Sequence, residues 1–392
     1  MAPTRRRRAA AERQLVLLSA ATALRRDGGR AGARNLTDDI DWSRLADTLR
    51  TRRLLPTLGP RIVDLANGRA SEQFAAAVAQ ALTAGRRQGA FLQLVCLRVI
   101  AALADAGIRS SALKGPLLGE AIYGDPARRL SSDIDLLVAT EQLHEAVEVV
   151  RSLGYRAPTD PVDRRGLPLL HFLLVHESGE LPPIELHWRV HWYERRFARE
   201  QLVPPVVEPL GGWRPSRGAE LIGLLLFYAR DGLAGLRLAS DLSGWWDAYG
   251  AALSSTAVPD LLRDYPALTR VIVAAATAAE SVVGLPAREI TGELLTPDHR
   301  ERLAARLANP SPLASEPQLY AEMGLVDGLL IPPGGFRGFV GRQLLPPSAV
   351  LDQHSRQASR SRARSPVLRC VGTLARYVAT IPRLIRPSER LP

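Results

Sequence analysis

Asp133 and Asp135 stand one residue apart in the run Asp133-Ile134-Asp135-Leu136-Leu137-Val138, which has the apolar, branched character of a β-strand. Residues two apart on a strand point to the same face, so both carboxylates are expected to project together. Two acids facing one way repel each other unless something positive lies between them. A divalent cation meets that need, and Mg²⁺ suits it because one or two carboxylates plus substrate phosphates suffice to hold it. On this reading, neutralising either acid should relieve repulsion and stabilise the fold slightly. An isolated Asp-x-Asp is more often a solvated surface pair, so the weight rests on what surrounds it.

Lys114 is the only lysine in the chain; the other 50 of its 51 basic residues are arginine. So strong a drift toward arginine is expected to remove any lysine whose task arginine could perform. A lysine is a compact charge on a flexible stem and fits against phosphate oxygens where the wide guanidinium fork does not. Gly115 follows, then Pro116 at the first-turn position that a helix tolerates best. A phosphate could sit at that helix start, with Lys114 and Gly115 as its grip. A third acid, Glu185, lies in Ile184-Glu185-Leu186-His187-Trp188, a strand pattern that puts Glu185 and His187 on one face and Leu186 and Trp188 on the other. Four of the seven histidines, His171, His176, His187 and His191, fall near this stretch, but their spacings do not reproduce a zinc pattern. His187 is expected behind the metal ligands or in contact with substrate.

These residues carry a resemblance. Leu113-Lys114-Gly115, then Arg129 four residues ahead of Asp133, then Asp-Ile-Asp-Leu-Leu-Val and Glu-Leu-His-Trp, resemble the uncharacterised nucleotidyltransferase family of the DNA polymerase β-like superfamily. The likeness covers about residues 90 to 195 and continues more faintly through the helix pair around Asp241. It implies an α+β fold, with a small mixed sheet flanked by N-terminal and C-terminal helical regions. It also implies transfer of a nucleoside monophosphate, AMP from ATP, to a hydroxyl of a small-molecule or peptide acceptor, in settings such as natural-product biosynthesis. Asp133, Asp135 and Glu185 would then hold two Mg²⁺ ions, with Lys114, Gly115 and Arg129 on the triphosphate or, for Arg129, bracing the loop. Most superfamily members have Gly-Ser where this chain has Lys114-Gly115, so the phosphate grip does not transfer directly. A rival reading is a non-catalytic nucleotide-binding or regulatory protein that keeps the fold; the intact Lys114, Asp133, Asp135 and Glu185 argue against it.

The elements that must position these groups follow from periodicity and punctuation. Helices are expected over 10–26, 42–54 and 71–106, the last bent at Gly85 and Gly89. A strand is expected over 108–113, then a helix from a Thr140 cap to Leu153 that Gly154 closes, then a hairpin of strands 169–177 and 183–190. Helices resume over 219–231, 235–250, 259–283 and 298–308. The chain thus divides into an N-terminal helical region (1–106), a catalytic core (107–200), a C-terminal helical domain (217–345) and a basic tail (346–392). The tail is expected to be partly disordered, with an amphipathic helix from Pro366 to Arg386.

Composition sets limits. With 392 residues, 46% of them hydrophobic, the chain can bury a sizeable core. A net charge of +11 invites a nucleic-acid reading, but the excess arginine gathers at Arg5 to Arg8 and beyond Arg356, which argues against one binding face. The tail helix suggests peripheral contact with a membrane surface or an acidic partner, or packing on the protein itself. The two cysteines, Cys96 and Cys370, support neither a disulfide framework nor a cysteine metal site, and a cytoplasmic setting fits best. No run approaches the roughly 18 uninterrupted apolar residues of a membrane span, and the signal-like stretch 5–24 reads as a helix.

Overall fold

A computed structural model of the chain describes residues 5–207, 213–292, 296–308, 316–343 and 378. Its centre is a four-stranded mixed sheet made of β1 (Ser110–Ala112), β2 (Ile134–Val138), β3 (His171–Leu174) and β4 (Ile184–His187), in the order β1-β2-β4-β3. The two middle strands, β2 and β4, run parallel, and each edge strand is antiparallel to its neighbour. The remainder is mostly helical, so the fold is α+β with a small mixed sheet.

Before the sheet come α1 (Arg5–Ala20), α2 (Ala23–Leu36), α3 (Trp42–Thr51), α4 (Leu55–Ala66) and α5 (Glu72–Asp105). Among the strands lie α6 (Pro116–Tyr123) and α7 (Leu143–Ser152). After them come α8 (Arg217–Arg230), α9 (Leu236–Tyr249), α10 (Ala257–Asp264), α11 (Thr269–Val283), α12 (Ala287–Thr291), α13 (His299–Arg306), α14 (Glu316–Leu329) and α15 (Phe336–Gln343).

Two apolar clusters hold these together. One joins α5 and α7 to a single face of the sheet, through Leu92, Val99, Leu103, Leu136, Val147, Phe172 and Leu186. The other runs through α1, α3, α4, α8, α9 and α11, so helices from both ends of the sequence share one core. Polar contacts cross the same junction: Thr22 N donates to Val283 O at 2.8 Å, and Ala23 N to Asp247 Oδ1 at 2.7 Å.

Several elements depart from the sequence reading, each for a local reason. The helix expected over 10–26 is two helices, because Ala21 and Thr22 turn the chain onto Val283. The expected helices leave out α4, which has Pro56 at the permissive helix start and accommodates Pro60 in its interior. The stretch 259–283 is broken at Pro266 into α10 and α11. Thr140 makes no side-chain cap; a short 3₁₀ turn leads into α7, and Gln142 accepts from Arg109 N and donates to Gly107 O. Gly85 and Gly89 do not interrupt α5. A Cβ on Gly85 would lie 3.0 Å from Ala127 O and one on Gly89 3.3 Å from Pro126 Cβ, so both seat the loop before β2 against the helix. By length and composition two stretches, Glu72–Asp105 and Pro266–Val283, are apolar enough to span a membrane, which corrects the expectation that none is. The second is largely buried in the shared core. The amphipathic tail helix lies outside the described residues.

Candidate active site

Strand alternation sorts the sheet into an apolar face and a charged one. Asp135 on β2 stands beside Glu185 on β4 in the parallel ladder; His187 lies two residues further along β4, and His171 on β3 stands directly opposite it. Their alternates Leu136, Leu186 and Phe172 point into the α5–α7 core. The charged face is therefore a fixed array set by backbone register. His187 Nε2 lies 3.2 Å from Asp135 Oδ1 and 3.2 Å from Glu185 Oε2, while His171 Nε2 is 3.8 Å from the same Glu185 oxygen. Phe227 of α8 covers this face, its ring edge-on to His187 at 6.2 Å.

Lys114 enters from the turn between β1 and α6. Gly115 there has φ 84°, a conformation that side-chain-bearing residues rarely adopt, and Pro116 starts the helix immediately after. Lys114 Nζ lies 2.9 Å from Asp135 Oδ1 and 4.2 Å from the Phe227 ring centre. The charge that resolves the acids' repulsion in this structure is thus the ammonium, seconded by His187. Asp133 stands one residue before β2, half-buried, with Ser131 Oγ donating to its Oδ1 at 2.7 Å. Strand alternation alone therefore does not set its direction.

The loop that delivers Asp133 and Asp135 is fastened from two sides. Arg129 is buried, and its Nε donates to Asp241 Oδ2 on α9 at 2.8 Å. Tyr123 OH donates to Ser240 O at 2.9 Å, and Arg237 donates to Leu130 O at 2.7 Å. From α4, Thr57 Oγ1 donates to Arg128 O, and from the turn before α4 Arg53 donates to Ser132 Oγ at 2.9 Å. Gly119 lets α6 close on this loop, since a Cβ there would meet Arg129 Cβ at 2.8 Å. Arg129 is thereby committed to Asp241. The sequence reading also missed Phe227, Arg230, whose guanidinium lies 4.8 Å from the Phe227 ring centre, and Arg237, which come from helices some hundred residues away and share no spacing signal with the acidic strands.

Electrostatics follow from burial and neighbours. Burial alone would raise Asp135, but the Lys114 ammonium and the His187 hydrogen bond outweigh it and hold its carboxyl well below the ordinary range. Glu185, also pushed up by burial, is brought below its usual value by His187 and His171. Burial and the neighbouring His187 lower His171 to about 4. Both carboxylates are therefore ionised at neutral pH, and His171 is neutral there.

Glu194, just beyond β4, behaves oppositely. It is buried; Ala198 N donates to one oxygen at 2.8 Å, and the other has no partner among the described residues. Burial pushes its carboxyl up to about 7. A carboxyl raised from 4.5 stabilises the fold fully below that value and loses its contribution as pH climbs to about 7, a loss of about 3 kcal/mol. Glu194→Gln keeps an acceptor for Ala198 without a charge. It should match wild type near pH 4 and gain up to about 3 kcal/mol near pH 8, read by urea denaturation at both values; an equal effect at the two pH values would remove the buried ionisation as the cause.

Beside Lys114 lies a cavity of about 280 Å³. Its walls include Leu117, Leu118, Phe227 and two indoles, Trp213 and Trp245, with Arg214 and Glu220 as charged members.

An acid pair on adjacent strands, a cation at a helix start and a small mixed sheet are the makings of a phosphate-transferring enzyme. Residues 38–282 match the uncharacterised nucleotidyltransferase family, and the chain belongs to it: it is a transferase of the nucleotidyltransferase class. No curated protein matches it in sequence. Among solved structures it is similar to antibiotic-resistance factor ANT(2'')-Ia, known from a solution structure, at 19% identity. The match covers 45% of this chain and 94% of that one, and its TM-score of 0.30 is too low to carry an argument.

Proposed function

We propose that the chain moves a nucleoside monophosphate, AMP from ATP, onto a hydroxyl of a small-molecule or peptide acceptor, releasing pyrophosphate. The observation that carries the proposal is the juxtaposition of Asp135 and Glu185 on neighbouring parallel strands, with Lys114 Nζ 2.9 Å from Asp135 at the start of α6. The donors are hard carboxylate oxygens kept ionised, and the positive charge on them comes from groups that a substrate can displace; both features suit Mg²⁺. Asp133, Asp135 and Glu185 would hold the Mg²⁺ ions. Bound there, Mg²⁺ supplies neutralisation of the triphosphate and stabilisation of the attacking and leaving oxygens.

Lys114 then serves phosphate and Asp135 together, its stem steered by the Phe227 ring. Glu185 accepts the proton of the acceptor hydroxyl. The largely apolar cavity beside Lys114 has room for the apolar part of a small acceptor. AMP as the transferred group rests on the family likeness and not on the geometry.

The test is incubation of the full chain with each labelled triphosphate, Mg²⁺ and candidate acceptors, following pyrophosphate. Lys114→Arg keeps the charge but puts a wide fork between Asp135 and Phe227, so turnover should fall about 100-fold, close to Lys114→Ala. An Lys114→Arg enzyme as fast as wild type would move the phosphate grip to Arg230 or Arg237. Nucleotide binding with no pyrophosphate for any acceptor would favour the non-catalytic reading.

A further inference from the structure

The sheet face that carries the acids carries two imidazoles as well, and the transfer reading gives them no task that requires a ring nitrogen. We propose that His171, Glu185 and His187 form a nitrogen-bearing cation site of the kind Zn²⁺ occupies, beside the all-oxygen end at Asp133 and Asp135. It shares Glu185 with the transfer reading and deepens it, but stands on ligand geometry.

Three observations carry it. First, one ligand atom from each of the three residues lies within 4.8 Å of the other two, and they are the described residues that form such a group. Of the separations from Glu185 Oε2, the 3.2 Å to His187 Nε2 lies within the roughly 3.0–3.5 Å between two ligands that each stand about 2.1 Å from one ion, and the 3.8 Å to His171 Nε2 lies just beyond it. Small side-chain movements would close the set.

Second, the backbone fixes the array. His171 and His187 are directly opposed in the antiparallel ladder, and Glu185 shares a strand face with His187. His187 is fully buried, with the His171 ring 4.6 Å away on one side and Phe227 on another. Such a ring has little freedom to turn, which is what a preorganised ligand needs.

Third, the rings make no structural use of their other nitrogens. Nδ1 of His171 and Nδ1 of His187 are buried without a partner among the described residues, while both Nε2 atoms converge on Glu185. A histidine kept for core hydrogen bonding would be expected to satisfy both nitrogens. Two imidazoles and a carboxylate are a Zn²⁺ donor set, whereas Mg²⁺ takes oxygen ligands. The face would therefore offer two chemically unlike cation positions.

The experiment uses the untagged full chain, stripped of metal by chelator, titrated calorimetrically with Zn²⁺ alone and with Mg²⁺ alone. One Zn²⁺ per chain should bind at least about 100-fold more tightly than Mg²⁺. His171→Gln, at a partly exposed position, should weaken Zn²⁺ at least about 10-fold and leave Mg²⁺ within about twofold. Co²⁺ offers a second readout: nitrogen ligation at low coordination number gives strong visible absorption, and an all-oxygen octahedral site gives weak bands. Zn²⁺ no tighter than Mg²⁺, an unchanged His171→Gln, or weak Co²⁺ bands would each overturn the proposal. Absence of pyrophosphate release would count against the transfer reading and leave these measurements untouched.

Discussion

Asp135→Asn should lower pyrophosphate release at least about a thousandfold, the scale on which removal of a preorganised electrostatic group acts on a charged transition state. The expected size comes from where Asp135 stands. Among the described residues it is the acid that touches both Lys114 and His187, and it sits beside Glu185 in the ladder, so its loss removes a proposed metal donor and also releases the ammonium. The same substitution should destabilise the fold by about 2 kcal/mol or more, because Lys114 is left largely buried without its counter-charge. That reverses the sign expected from two mutually repelling aspartates, since the structure neutralises Asp135 with the Lys114 ammonium from outside its strand.

The stability difference has its own pH signature. A carboxyl held below its ordinary value contributes above that value and loses the contribution as pH falls through the depressed one. The gap between wild type and Asp135→Asn should therefore be constant above about pH 4 and shrink in stronger acid. Urea denaturation across that range measures it. Wild-type turnover in the variant would remove Asp135 from the chemistry, and greater stability at pH 7 would mean that Lys114 does not rely on it.

How much of this was legible beforehand depends on whether a feature is local. The alternation of Asp135 with Leu136, and of Glu185 with Leu186, is a strand-level property, and strand pairing places the two acids side by side. Lys114 announced itself by composition, and Gly115 and Pro116 by backbone chemistry. Asp133 was the limit of that reasoning, because the strand starts one residue after it. The partnership of His171 with His187 depends on the register of β3 against β4, which periodicity does not encode. Phe227, Arg230 and Arg237 reach the site only through tertiary packing of α8 and α9. Arg129 shows the difference most clearly: its place four residues before Asp133 left phosphate contact and bracing of the loop both open, and the partner that makes it a brace lies 112 residues away.

That partner gives the largest expected effect on stability. Asp241→Ala should destabilise the fold by about 3–5 kcal/mol, the cost of leaving a buried guanidinium without its counter-charge. Arg129 and Asp241 are both nearly inaccessible, at 4% and 1% exposure, so water cannot take over from the lost carboxylate. Tyr123, whose hydroxyl lies 3.4 Å from Asp241 Oδ1, loses a neighbour in the same step. Transfer should fall as well, because the loop from Asp125 to Asp133 then loses its buried anchor on α9 and is held by the Arg86, Arg237, Thr57 and Arg53 contacts. The decisive measurement is a double-mutant cycle with Arg129→Met. If the pair is a buried charge balance, the double variant should be more stable than Asp241→Ala alone, since no charge is then left unpaired. A double variant as unstable as the sum of the two single ones would show that Asp241 and Arg129 act independently, and the clamp on the acid-bearing loop would have to be sought in the contacts from α4.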